Sequence, residues 1–270
     1  MRFLTFFFLL VLTTSLILID CEVDHGLEPI RSSIQGVVTY TGNWPAPVAE
    51  VKMVAAKKFP PADVSDLIIG ENISPTGESL PFQFYLKPGT FKLLGVAWRE
   101  QNSTWDLVSV CGLHFTGTDS LAPGEITVAT DTSTVKGINI GVNRSKARRV
   151  TKAKITGSIQ FEGTWPDSIE YVYAIASAGP LSIFPRLKLP TLLDLGFSAA
   201  IPPYTSSYQY SINAFPATFY ATGLIFFRKN QSLSADDINF SLRVGALNFT
   251  QYEVLADSMV AGPDFQVKFE

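Results

Sequence analysis

The stretch Gly42-Asn43-Trp44-Pro45 returns 121 residues later as Gly163-Thr164-Trp165-Pro166. The surroundings repeat with it: IQGVVTYTGNWP (Ile34 to Pro45) lies over ITGSIQFEGTWP (Ile155 to Pro166). In both, Ile-x-Gly-x-Val/Ile-x-Tyr/Phe alternates with the period of a half-buried strand. A glycine then ends the strand and Trp-Pro opens a loop. The same spacing sets Val51-Lys52-Met53-Val54-Ala55 over Val172-Tyr173-Ala174-Ile175-Ala176, a second strand, and Phe59-Pro60 and Phe184-Pro185 follow.

The match resumes with PFQFYLKPGTFKLLGVAW (Pro81 to Trp98) over SYQYSINAFPATFYATGLIF (Ser207 to Phe226). Phe82, Phe84 and Leu86 fall on Tyr208, Tyr210 and Ile212. Two extra residues lengthen the second hairpin, after which Pro88-Gly89-Thr90-Phe91 meets Pro216-Ala217-Thr218-Phe219 and Gly95 meets Gly223. Final strands are expected near Ile138 to Val142 and Phe265 to Phe269. Asp131-Thr132 and Asp257-Ser258 recur just before them, a sign of turn chemistry. Long helical periodicity is absent. ADVSDLIIG (Ala62 to Gly70) and LPTLLDLGF (Leu189 to Phe197) are expected to form short helices at the same place in each half. Trp44 and Trp165 are expected to cap hydrophobic cores at strand-to-loop corners.

A motif written twice in this way marks a domain present twice. The chain has 46% apolar residues, 20 Phe, 9 Tyr, 17 Pro and 19 Gly, which favours strands and turns. The expected fold is all-β: two tandem antiparallel β-sandwiches related by internal duplication. TGESLPFQFYLKPGTFKLLGVAW (Thr76 to Trp98) also resembles the carboxypeptidase regulatory-like domains, whose pattern runs Thr…Gly-x-aromatic-x-aromatic-x-Leu-x-Pro-Gly-x-aromatic. The resemblance covers most of residues 34–142 and, more loosely, 155–269. It implies a transthyretin-like, or prealbumin-like (Ig-like), sandwich. The second copy departs from the pattern at Ala217, where that family has Gly.

The chain opens with Met1-Arg2 and an almost wholly apolar run from Phe3 to Ile19, short for a spanning helix and suited to a secretory signal. The run stops at Leu18-Ile19-Asp20-Cys21, which resembles a bacterial lipobox and implies lipidation of Cys21. Asp20 departs from the Gly, Ala or Ser usual at its position. The competing readings are an uncleaved anchor or a cut elsewhere, for example after Ser15. The expected organisation is a signal peptide at 1–20, a polar tether at 21–33, repeat 1 at 34–143, a basic linker at 144–154 and repeat 2 at 155–270. With Cys21 acylated, Cys111 has no cysteine to pair with. Six Asn-x-Ser/Thr triplets begin at Asn72, Asn102, Asn143, Asn230, Asn239 and Asn248; strand-rich, Ser/Thr-rich sequence produces such triplets readily, and a glycosylated secreted protein is the competing reading.

The net charge is −3, unevenly placed. Six basic residues fall between Arg144 and Lys154 without an acid, which leaves 15 basic against 24 acidic residues elsewhere. That balance excludes nucleic acid as a general partner. The basic segment reads as a solvated linker, with contact to anionic lipid head groups as a second reading. Zinc-peptidase chemistry needs two His and a carboxylate, and the chain has only His25 and His114 in no such pattern. The inventory also excludes the transthyretin-like isourate hydrolases, which rely on several His and a C-terminal Tyr-Arg-Gly-Ser where this chain ends FQVKFE. Cys111 and His114 stand three apart on a strand and are expected to face opposite sides unless Gly112 makes a bulge, with Cys111 a small buried hydrophobe.

Binding surfaces remain. WREQNSTW (Trp98 to Trp105) joins two strands, and Trp98 and Trp105 are the candidate ligand contacts, for a sugar or a partner protein. The expected protein is not an enzyme and uses no cofactor or metal. It is an exported binding, adhesion or spacer module held at the cell envelope, with the membrane as a partner through its N-terminal lipid and a protein or glycan as ligand. A carbohydrate-binding accessory lipoprotein of an uptake system is the first alternative, and an enzyme of unrecognised type the second.

Overall fold

The structure, a computed structural model, describes residues 31–116, 121, 123–179, 191–231, 233 and 235–269. The N-terminal apolar run expected to be a signal, Cys21, His25 and the Phe184-Pro185 match lie outside the described residues. Strands form where the alternating and apolar runs stand. The first copy comprises β1 (Ser33–Thr41), β2 (Val48–Ala56), β3 (Ile68–Asn72), β4 (Ser79–Tyr85), β5 (Gly89–Phe91), β6 (Leu93–Glu100), β7 (Val110–Leu113), β8 (Ile126–Val128) and β9 (Thr134–Asn143). The second comprises β10 (Lys154–Glu162), β11 (Ile169–Ser177), β12 (Leu195–Phe197), β13 (Ser207–Asn213), β14 (Ala217–Phe219), β15 (Ala221–Arg228), α1 (Ala235–Arg243), β16 (Leu247–Asn248), β17 (Tyr252–Val254), β18 (Met259–Ala261) and β19 (Phe265–Lys268). The fold is all-β apart from α1 and short 3-10 turns.

Strand pairing repeats residue by residue. Ile34, Gly36 and Val38 on β1 face Phe84, Phe82 and Leu80 on β4; Ile155, Gly157 and Ile159 on β10 face Ile212, Tyr210 and Tyr208 on β13. Leu86 N–H donates to Ser32 O in the first copy, as Ala214 N–H does to Ala153 O in the second. Phe82 therefore answers to Tyr210 and Leu86 to Ala214, two residues away from the sequence match. The added length enters earlier, between Ser177 and Leu192, because the turns Val64–Asp66 and Leu192–Asp194 already stand in the later register. Those turns are the expected short helices, reduced to 3-10 geometry. β2 then pairs β3 as β11 pairs β12, with Val54 opposite Ile69 and Ile175 opposite Phe197.

The expectation of antiparallel sandwiches needs one correction per copy. β1 runs parallel to β9, with Val38 opposite Ile140, and β10 runs parallel to β18 and β19, with Ile159 opposite Phe265. A parallel neighbour needs a long connection, and here most of the copy intervenes. The ladder is interrupted in both copies where the returning strand pushes a carbonyl at β1 or β10. A Cβ on Gly36 would lie 1.8 Å from Ile138 O, and one on Gly157 2.7 Å from Pro263 O. Gly42 and Gly163 then end their strands at φ +68° and +86°, a region that favours glycine. The recurring turn is carried by serine: Ser133 Oγ bonds both ends of Thr130, and Ser258 Oγ does the same for Leu255.

Each sandwich encloses its own core. Ile34, Val38, Met53, Phe84, Val96 and Ile140 belong to one, and Ile155, Ile159, Ala174, Ile212, Leu224 and Phe265 to the other. Trp44 and Trp165 do close equivalent corners. Trp44 packs on Tyr40 and Trp98 and donates to Pro75 O; Trp165 packs on Phe161 and Phe269 and donates to Thr205 O. In the first copy the guanidinium of Arg144, 4.5 Å from the Tyr40 ring centroid, covers the corner that Phe269 fills in the second. α1 replaces a simple hairpin after β15 and packs its Phe240 against Phe226 at 5.0 Å. Among the described residues no helix is long and apolar enough to cross a membrane.

Gly36→Ala is expected to cost about 1–3 kcal/mol through the forced shift of β9. Gly141→Ala, whose Cβ would meet nothing within 4 Å, is expected to be neutral or slightly stabilising. Denaturant midpoints of the two variants check the contrast.

Candidate functional site

The outward faces of two sheets are as apolar as their inward faces, and they bury each other. Val54 and Ala56 of β2, Leu93 and Ala97 of β6 and Leu113 of β7 pack with Tyr173 and Ile175 of β11 and Ile225 and Phe227 of β15. These strands therefore have no solvent face: β6 is buried from Leu93 to Trp98, and β15 from Ala221 to Phe227. Leu121, fully buried, reaches across from the first copy to Ile175, Leu195, Ile225 and Ile238 of the second. Burying one such side chain contributes about 1.5–3 kcal/mol. Phe59 adds an edge contact to Phe227 at 6.3 Å, and its carbonyl accepts from Tyr171 Oη at 3.2 Å.

The basic segment between the copies is woven into this seam rather than solvated throughout. Ala147 is buried in the first core and Ala153 in the second. Arg148 O accepts from Trp98 Nε1 at 2.9 Å, while the Arg148 side chain crosses to the second copy. There Nη1 donates to Leu195 O at 3.0 Å, and the guanidinium stacks 3.7 Å from the Phe215 ring centroid. Burial pulls the Arg148 pKa down to about 9, with the Asp194 charge opposing that fall. Lys146 and Arg149 stay exposed; Lys146 lies 3.8 Å from Asp194, and Arg149 Nε donates to both carboxylate oxygens of Glu100 at 3.2 and 3.0 Å.

Where the seam opens, the two copies leave a cleft of about 200 Å³. The first copy supplies Phe59, Pro60, Leu93, the turn Asp106–Val108, Val110 and Leu113; the second supplies Tyr173, Leu192, Leu193 and Leu195–Ala199. Asp106 caps its own turn, accepting from Val108 N–H at 3.0 Å, with Ser109 returning the bond to Asp106 N–H. Burial, helped by the neighbouring Tyr171 and Asp66, pushes the Tyr173 hydroxyl up to about 12. A concave, mostly apolar space at a domain junction with few polar groups is the usual form of a ligand site.

Trp98, expected at a ligand surface, is only 2% exposed: the alternation of β6 turns it into the first core, where it stacks on Trp44 at 5.4 Å. Its ring is a packing element. Trp105 is half-buried against the seam, with Lys52 and Arg99 over its ring at 6.0 and 5.7 Å and Arg99 held to Glu50 at 2.9 Å. Cys111 lies at a bulge of β7, where Gly112 faces Val96 and Val110 faces Ala97, so the simple alternation that would set Cys111 and His114 on opposite sides is broken; the two groups engage different partners. The thiol lies in the first core against Val96 O, while His114 Nδ1 lies 3.2 Å from Asn139 O. Burial pushes the Cys111 thiol well above its ordinary range. Among the described residues no group of His, Cys, Asp and Glu could hold a metal. The exposed aromatics include Tyr85 on β4 and, in the second copy, Tyr204, Tyr220 and Phe249; the β15–β16 register, Thr222 opposite Asn248, brings Phe249 to the start of β15 beside Tyr220.

No family model matches the chain, and no curated protein matches it. Among solved structures, a leucine-rich repeat protein from Bacteroides thetaiotaomicron is 13% identical with a TM-score of 0.35 over 87% of this chain and 26% of its own. The Bacillus anthracis TIE protein is 6% identical with a TM-score of 0.19, over 88% and 34%. A candidate adhesin from Bacteroides ovatus is 10% identical with a TM-score of 0.22, over 93% and 96%. The chain thus spans about a quarter and a third of the first two. At these identities and TM-scores the likenesses assign no function.

Cys111 is expected to resist a thiol-alkylating reagent at pH 8 in the folded protein and to react fully once unfolded, because only the thiolate is the nucleophile. Peptide-level mass spectrometry of the Cys111 peptide reads both states.

Proposed function

We propose that the protein is an exported, non-catalytic binding module, held at the cell envelope by lipid on Cys21, in which two sandwiches act as one rigid body. The observation that carries the reading is the seam. A chain that buries the outer faces of five strands to fix two domains against each other gains a preformed junction. It gives up the hinge that two loosely linked domains would have. The cleft at that junction is the ligand site in this reading. Trp105 supports it from behind, by holding the start of the Asp106–Ser109 turn, instead of stacking on the ligand itself.

The Thr76 to Trp98 motif supports assigning both copies to the carboxypeptidase regulatory-like sandwiches, the second through its internal match to the first. A lone Cys directly after a signal-like apolar run supports the anchor.

Two measurements test the proposal. The mature protein is expected to begin at an acylated Cys21 and to partition with membranes, and Cys21→Ser is expected to release it or leave the precursor uncut. An unmodified N-terminus elsewhere refutes the anchor. Ile225→Asp, which buries a charge at the seam, is expected to lower the stability of both copies together by about 3 kcal/mol or more. Independent unfolding of two unchanged units refutes the rigid body.

A further inference from the structure

The cleft combines apolar walls with one cation, Arg148, which among the described residues has no carboxylate within ion-pair distance. Arg148 lines it and is partly withdrawn from water, stacked on Phe215. Its hydrogen bond goes to a neutral carbonyl, that of Leu195. Asp194 influences the guanidinium from farther off, but it accepts from Thr191 Oγ1 at 2.7 Å and pairs with Lys146 at 3.8 Å. Asp106, the acid in the cleft wall, is engaged in capping its own turn. A cation drawn out of water is costly unless an anion or several hydrogen bonds compensate it. A guanidinium also offers a planar fork that fits a carboxylate.

We infer that the cleft binds a short amphipathic carboxylate, with its acid group on Arg148 and its hydrocarbon part between the Leu107–Val108 turn and the Leu192–Leu193 turn. The inference rests on the reading of the cleft as the ligand site. The size sets the ligand class. About 200 Å³ is below the roughly 300 Å³ at which pockets begin to hold drug-sized molecules, so the fit is to a chain of a few carbons and not to a long-chain lipid. The geometry requires both parts of the ligand. A bare acid leaves the apolar walls unfilled, and a neutral alkane or alcohol leaves Arg148 uncompensated.

Equilibrium dialysis of labelled hexanoate against full-length protein in detergent, with protein-free micelles as the blank, tests it. Saturable binding of hexanoate is expected, at least tenfold tighter than that of hexanol or acetate. Arg148→Gln is expected to weaken hexanoate at least tenfold and to leave hexanol unchanged, and Arg148→Lys to weaken it less. Val108→Phe, which fills the cleft and leaves Arg148 in place, is expected to abolish binding, and so keeps the test decisive should Arg148→Gln unfold. Thermal unfolding of each variant is the control for folding. Equal binding of hexanol and hexanoate, or hexanoate binding unaffected by Val108→Phe, overturns the proposal. So does the absence of binding; if Cys21 acylation and cooperative unfolding still hold, that result removes the ligand and leaves the anchored rigid module standing.

Discussion

Two strand pairs packed on both sides, β2 with β6 and β11 with β15, set the terms for the rest of the molecule. In an ordinary sandwich one side of each sheet packs and the other is solvated, so polar residues alternate with apolar ones. Here β2 with β6 and β11 with β15 pack on both sides. Charge is sparse on them: β2 carries Glu50 and a half-buried Lys52, and Glu170 and Arg228 stand at the ends of β11 and β15. Neither copy could present its outer face to solvent without exposing a large contiguous apolar patch, the kind that marks an interface or an aggregation hazard. The linker, the 3-10 turns and the cleft are all placed by the demand that these two faces meet.

How much of this the sequence made legible depends on which physical signal each feature leaves. The duplication is legible because glycines forced by a neighbouring carbonyl or a left-handed turn recur at fixed spacing, and so do corner tryptophans. The pairing register is less so. Side chains alternate with period two, so sliding one copy by two residues keeps every residue on its face. Phe82 over Tyr208 and Phe82 over Tyr210 therefore score alike, and only the backbone bond from Leu86, matched by that from Ala214, decides. The parallel β1–β9 pairing left no trace, because neighbour direction is set by topology and not by pattern.

The seam did leave a signal, in the unbroken apolar runs LLGVAW and GLIFF and in YVYAIAS, which fail to alternate as one-sided strands should. The helix α1 escaped the sequence reading, because its nine residues are too few to show a long helical period among strands. Trp98 misled because a loop aromatic and the last inward residue of a strand look the same in one dimension. Arg148 is the larger lesson: within a run of basic residues nothing in the sequence distinguishes the one that turns inward. The bulge at Cys111 was equally hidden: strand alternation alone sets residues three apart on opposite sides, and one extra residue in β7 undoes it.

The faces that meet are the same face of each copy: Val54 and Ile175 are equivalent positions, as are Ala97 and Ile225, and Leu67 and Leu195. This is the composition of an isologous homodimer interface whose two subunits have been joined into one polypeptide. Joining changes the thermodynamics of the contact. A short connector holds the two halves at an effective concentration of about millimolar, so a face too weak to dimerise at cellular concentrations can stay closed within a chain. It also breaks the symmetry. A true dimer would carry two copies of every junctional feature, whereas a single connector passes the junction once, and Arg148 with its cleft exists at only one of the two ends.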